Sequence, residues 1–300
     1  MNEMDKLETV QKLQFWIKSH LQEPMTLKQL SDISGYSPWH TSRMFKEVTG
    51  KNPFDYIRSL RLSSAALVLR DQKCKVLDVA LDFVFDSHEG FTRAFSKQFG
   101  LSPKQYQKKT PPIGLFRPYL VLESYQALHR GGKHMTKKTQ TIFVQIIERP
   151  QRKLLLKRGI KATEYFAYCD EVGCDVWSIL CSVKEAMVEP VGLWLPDHLI
   201  KEGTSQYVQG VEVPMDYSNQ IPEGFDLIDL PSSTYMFFQS EPYEDINFGE
   251  AIADVWKHIE TFNPTIYGYD WDPQASPRFQ LEPQGYRGYI EALPVKQVKR

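Results

Sequence analysis

The chain has 300 residues, of which 42% are hydrophobic and 13% aromatic, enough for two packed cores and too much for a disordered chain. No apolar run reaches a membrane span, no signal peptide is visible, and Cys74, Cys169, Cys174 and Cys181 form no CxxC pair, so reduced thiols in a cytoplasmic protein are expected. The net charge of −1 hides a split: residues 1–140 carry 22 Lys and Arg against 13 Asp and Glu, net +9, and residues 141–300 carry 14 against 24, net −10. The first half therefore suits a polyanion, and the second suits a neutral or cationic partner.

Helical spacing predicts a first helix from Thr9 to Leu21, broken by Pro24. Thr26 is a good cap for a short helix over Leu27–Ser34, and Gly35 suits the tight corner that follows. Ser37 followed by Pro38 predicts the start of a third helix running to Val48 and stopped at Gly50. Phe54–Leu69 reads as one longer helix. The same grammar then repeats fifty residues on without a gap: Leu27 matches Leu77, Asp32 Asp82, Ser37 Ser87, Arg43 Arg93, Phe45 Phe95, Gly50 Gly100, Pro53 Pro103 and Tyr56 Tyr106. Val76–Phe83 and a helix capped by Asp86 or Ser87 and running to Gln98 form the second copy, and Pro103–Lys108 closes the module. Two copies are one helix-turn-helix module present twice, giving one chain the reach that a dimer usually supplies.

Residues 1–110 are thus expected to be an all-α domain, 111–140 a partly ordered linker, and 141–300 an α+β domain with an antiparallel sheet. In the last, Ile142–Glu148, Leu154–Gly159, Tyr207–Val213, Thr234–Gln239 and Arg287–Leu293 read as strands, and Asp175–Val188 and Phe248–Phe262 as helices.

A recognition helix meets base edges with its N-terminal, exposed residues. In the first copy these are Ser37, Trp39, His40, Ser42 and Arg43, with Arg43 the candidate for a bidentate contact to guanine and Trp39 exposed near the helix start. In the second they are Ser87, His88, Glu89, Thr92 and Arg93. Glu89 can accept from cytosine or repel phosphate, and Gly90 offers no side chain, so the second helix is expected to hold backbone more than to read bases.

The second half carries no nucleophile elbow, phosphate loop or zinc spacing, so no catalytic residue, cofactor or metal is expected. It is rich in aromatics beside acid. Trp177, Trp194, Tyr235, Phe237 and Tyr289, with Glu282 and Glu291, are candidates to line a site for a hydrophobic or cationic small molecule. Trp256 is expected in the core.

Gly35-Tyr-Ser-Pro-Trp-His, Arg43-Met-Phe-Lys-Glu-Val-Thr-Gly50, Phe85-Asp-Ser and Phe91-Thr-Arg-Ala-Phe-Ser-Lys-Gln-Phe99 make residues 8–108 resemble the DNA-binding domain of the AraC/XylS family of transcription regulators, in its branch of small stress regulators. The resemblance implies base contacts by Trp39, Arg43 and Arg93. Ser42 and His88-Glu89-Gly90 depart from the branch, which leaves the operator sequence open. Glu148-Arg-Pro-Gln-Arg-Lys, Tyr207-Val-Gln-Gly-Val-Glu-Val, Leu230-Pro-Ser-Ser-Thr-Tyr-Met-Phe and Tyr289-Ile-Glu-Ala-Leu-Pro-Val resemble a gyrase-inhibitor-like effector-binding domain. That family's terminal strand places its acid where Ile290 stands here, so Glu291 and Glu282 are both candidates for the pocket acid. Together these imply a transcription activator, able as a monomer to bind an asymmetric major-groove site in double-stranded DNA. Its partners would be RNA polymerase and a small-molecule effector, with no membrane. A hydrolase or protein-interaction role for the second domain is the alternative.

Overall fold

The computed structural model describes residues 3–118, 141–173, 175–244 and 247–298. Cys174 and residues 119–140 of the expected linker lie outside the described residues. The chain divides into two compact units, Met1–Lys133 and His134–Arg300.

The first unit is helical: α1 Glu3–Ser19, α2 Leu27–Ser34, α3 Pro38–Thr49, α4 Pro53–Asp71, α5 Val76–Asp82, α6 His88–Phe99 and α7 Pro103–Lys109. Local chemistry sets these bounds. Thr26 and Ser102 form capping boxes with Gln29 and Gln105, and Ser37, Asn52 and Ser87 cap α3, α4 and α6. Gly50 and Gly100 close α3 and α6 in left-handed conformation, each returning its N–H to the carbonyl four residues back. Ser87, not Asp86, is the cap of α6.

The repeat is visible in packing. Phe45 meets Tyr56 edge-on at 5.0 Å, and the equivalent Phe95 lies 5.8 Å from Tyr106. The two corners differ. In the first, Gly35 takes the left-handed conformation (φ 73°), and Ser34 and the buried Thr41 join hydroxyls at 2.7 Å. In the second, the left-handed residue is Val84 (φ 60°), and Phe85, Phe91, Phe95 and Phe99 meet in turn through edge-on and tilted ring contacts. A β-branched residue there is strained by roughly 1–2 kcal/mol. α4 contacts α3 as well as α5, α6 and α7. At 1.5 Å per residue its 19 residues span about 28 Å.

Residues 111–118, at the start of the expected partly ordered linker, pack on this unit. Ile113 and Leu115 are buried, Phe116 stands edge-on to Tyr56 at 5.2 Å, and its N–H donates to Ser63 Oγ at 2.7 Å.

In the second unit, nine strands among the described residues form one antiparallel sheet. They are β1 Ile142–Arg149, β2 Arg152–Arg158, β3 Val191–Trp194, β4 Tyr207–Val213, β5 Asp226–Leu230, β6 Ser233–Ser240, β7 Tyr269–Trp271, β8 Arg278–Leu281 and β9 Ile290–Gln297. The order is β1-β6-β9-β8-β3-β4-β2-β5, with β7 also on β9. The sheet curls, so that Arg149 ending β1 and Arg152 opening β2 both reach the buried Glu212 of β4. One face packs Leu154, Leu193, Val208, Tyr235, Phe279 and Ala292 together. The other carries helices: α8 Tyr165–Val172 and α9 Asp175–Leu180 beside β4, and α10 Phe248–Thr261 on β6.

Three expectations are corrected. The helix over Asp175–Val188 ends at Leu180 and is preceded by the unforeseen α8. β3, β5, β7 and β8, each of three to five residues, are too short for an alternation to register. The last strand begins at Ile290, not Arg287, because Gly285–Arg287 forms a 3-10 turn and Gly288 turns left-handed (φ 80°). It also runs through Pro294, which falls between β9's last pair with β8 (Ala292) and its first with β7 (Val295), where no ladder donor is needed on that side.

Candidate nucleic-acid interface and candidate ligand site

α3 buries Thr41, Met44 and Phe45 and turns Trp39 and Arg43 outward, with Trp39 66% exposed. The Arg43 guanidinium lies 5.4 Å from the Trp39 ring centroid, while its Nε donates to Glu47 at 2.8 Å. Lys6 donates to the other Glu47 oxygen at 2.5 Å. Lys6 and then Arg43 hold the Glu47 carboxyl at about 2, well below its ordinary value. Trp39, Arg43 and Glu47 thus form one stacked and ion-paired set on an exposed helix face. Ser37 is the cap, and His40 and Ser42 are half-buried, His40 with its ring 5.0 Å from Tyr36.

α6 buries Phe91 and Phe95 and exposes His88, Glu89 and Arg93, with Thr92 half-buried. Position 97, matching Glu47, is the exposed Lys97, and no ion pair forms at Arg93 among the described residues. Ser87 is occupied in capping, accepting from Gly90 N–H at 3.0 Å.

In the second unit, strand register assembles a site that the sequence does not display. Phe238, Glu291, Gln280, Gly192 and Gln209 lie directly opposite one another across β6, β9, β8, β3 and β4. Residues paired directly across strands share a face, and this is the helix-bearing face. The row runs between the apolar cluster under α8 and α9 and the one under α10. Glu291 is fully buried. One of its oxygens receives Trp256 Nε1 at 2.5 Å and the Tyr289 hydroxyl at 2.8 Å; the other receives Arg278 Nε. The Tyr289 hydroxyl also lies 2.8 Å from Gln280 Oε1. Burial and then the Glu291 charge push that hydroxyl well above its ordinary value, which keeps it protonated. The Arg278 guanidinium sits 4.9 Å from the Trp194 ring and 5.9 Å from the Trp256 ring. Trp194 is fixed by a 2.9 Å bond from Nε1 to Thr163 O. Buried polar atoms extend the row: both side-chain polar atoms of Gln209 and the Tyr207 hydroxyl have no hydrogen-bond partner among the described residues. A side chain at Gly192 would collide with that hydroxyl.

Of the seven candidate ligand residues, the structure brings together Trp194, Tyr289 and Glu291. Tyr235 and Phe237 are corrected. Odd positions of β6 point to the opposite face, where both rings pack on Phe279 at 5.1 and 5.6 Å, and the Tyr235 hydroxyl bonds Pro277 O. Glu282 lies in the loop after β8, and its carboxylate receives Gln284 at 3.3 Å, away from the paired rings. Trp177 is half-buried on α9, with its ring N–H buried and without a hydrogen-bond partner among the described residues. Trp256, expected in the core, is 38% exposed and faces Glu291. Trp256, Arg278 and Gln280 were missed because only the register of distant segments makes them neighbours.

A helix-turn-helix domain family model matches residues 30–109. The chain is 44% identical over 124 residues to the right origin-binding protein of Escherichia coli (strain K12), covering 41% of this chain and 43% of that protein. It is 36% identical over 106 residues to the regulatory protein SoxS of E. coli (strain K12), covering 35% of this chain and 99% of SoxS. The chain therefore spans less than half the length of the right origin-binding protein. A solved regulator with an AraC-type DNA-binding domain from Chromobacterium violaceum is similar at 21% identity, covering 34% of this chain and 90% of that one, with a TM-score of 0.33.

Proposed function

Because this chain belongs to the AraC family of helix-turn-helix proteins, we propose that it is a DNA-binding transcription regulator whose second unit senses a small molecule. The observation that carries the DNA reading is the exposed Trp39–Arg43 pair on a capped helix, repeated on the same frame as Arg93 fifty residues later. α3 enters a major groove and reads bases through Trp39 and Arg43. α6 enters the next segment and holds it through Arg93 and Lys97. α4, about 28 Å long, sets the reach between them, close to the roughly 34 Å of one DNA turn. One chain thereby binds an asymmetric site as a monomer. Activation through RNA polymerase, and work in the cytoplasm where the DNA is, follow from the family resemblance.

The cluster around Glu291 supports effector binding. Both oxygens of this carboxylate are already engaged by Trp256, Tyr289 and Arg278, so binding fits better than hydrolysis. Footprinting with the full chain tests the DNA reading. We expect an asymmetric protected stretch whose affinity falls steeply with salt, and no protected stretch at low salt overturns it. For the second unit, a panel of cationic and neutral aromatics titrated against tryptophan fluorescence of the full chain is expected to give quenching. That quenching is expected to be lost in Glu291→Gln, and a panel with no binder overturns the effector reading.

A further inference from the structure

We propose that Arg278 is a built-in occupant of the Glu291 site, and that the effector is an organic monocation with a flat, delocalised charge that displaces it. This rests on the effector reading above.

The geometry of Arg278 is that of a bound ligand. Its guanidinium lies within cation–π reach of two indoles, Trp194 and Trp256, and its Nε meets the carboxylate. The two partners differ sharply in exposure: Glu291 is wholly buried, whereas the Arg278 side chain is 37% exposed. Arg278 is therefore the lid of the pair and Glu291 its floor. Arg278 can also leave. It opens β8, it pairs with Trp194 on one side, and the β8–β9 register begins only at Phe279. A guanidinium that swings outward regains its hydration at the surface.

The chemistry then selects the ligand. A buried carboxylate that loses its cation is strongly destabilised. A neutral molecule that pushed Arg278 aside would strand the Glu291 charge, so the displacing group must bring a positive charge of its own. Trp256 and Tyr289 remain on one carboxylate oxygen, and displacement vacates the other. One planar cation between the two indoles, of the amidinium or guanidinium type, fits that vacancy. Apparent affinity is then reduced by the fraction of molecules in which Arg278 is seated.

The test uses the full chain, benzamidinium as the probe, benzamide as the neutral control, and tryptophan fluorescence as the readout. Arg278→Ala is expected to bind benzamidinium at least about tenfold more tightly than the parent, as expected for a competitor seated in about nine molecules of ten. Adding Glu291→Gln is expected to abolish the gain, and benzamide is expected to show none. Equal or weaker binding by Arg278→Ala overturns the proposal and makes Arg278 part of the pocket wall. Should Arg278→Ala fail to fold by circular dichroism, Arg278→Lys keeps the charge without the planar fork. It is expected to bind about threefold more tightly, and no gain there overturns the proposal equally. Benzamidinium binding to none of these proteins also overturns it, while a neutral aromatic that still quenches leaves the effector reading standing.

Discussion

Arg43 is tied to Glu47 one helical turn on, whereas one turn after Arg93 stands Lys97. Both helices are capped by serine, closed by left-handed glycine and anchored by a buried phenylalanine against a tyrosine. The repeat therefore preserves the scaffold and lets the outward face diverge. A tied arginine stacked on tryptophan is pre-organised, which suits directional contact with a base edge. An exposed arginine with no ion pair among the described residues, beside an exposed lysine, is a positive field open to solvent, which suits phosphate.

If the scaffold is shared, removing its anchors should cost the same in both copies. Phe45→Ala and Phe95→Ala are each expected to lose about 3–5 kcal/mol in denaturant unfolding; a near-zero cost at one would show that its copy is not packed on this frame. The outward faces should respond differently. Arg43→Ala is expected to lose about 1–3 kcal/mol on a preferred duplex and little on a scrambled one. Arg93→Ala is expected to weaken both duplexes alike and to lower the salt slope by about one. The reverse pattern would exchange the roles of α3 and α6.

The corners give a smaller contrast. Val84→Gly relieves a left-handed valine and is expected to raise stability by about 1 kcal/mol in thermal unfolding. Gly35→Val should lower it by at least as much. Loss of stability in Val84→Gly would mean that the two corners are not alternative solutions of one turn. The smallest effect concerns pH. Lys6 and Arg43 hold the Glu47 carboxyl at about 2. A depressed carboxyl contributes fully above its ordinary value and loses its contribution as pH falls through the folded one. DNA affinity between pH 5 and 8 should therefore be flat with respect to Glu47. A carboxyl titration by NMR should find Glu47 near 2, and a value near 4.5 would show that Arg43 is not tied in solution.

The first unit was legible in the sequence because its determinants are local. Thr26, Ser37, Ser87 and Ser102 sit within three residues of the N–H groups they cap, and the fifty-residue match needs no tertiary knowledge. The Glu291 site was half legible for the opposite reason. Trp194, Trp256, Arg278 and Glu291 come from four elements and meet only through strand register and the seating of α10. Tyr235 and Phe237 were misplaced by parity: on a strand whose even positions face the helices, odd aromatics serve the other core. The polar row through Glu291, Gln280 and Gln209 holds one residue from each of three strands, so no single stretch of sequence records it.

The most direct measurement of the asymmetric clamp is base-by-base randomisation of the footprinted duplex, bound by the full chain, with the stoichiometry determined alongside. One chain per duplex, with strong base preference in one half of the site and weak preference in the other, is the predicted result. A palindromic site held by two chains, or equally strong preference in both halves, would contradict it.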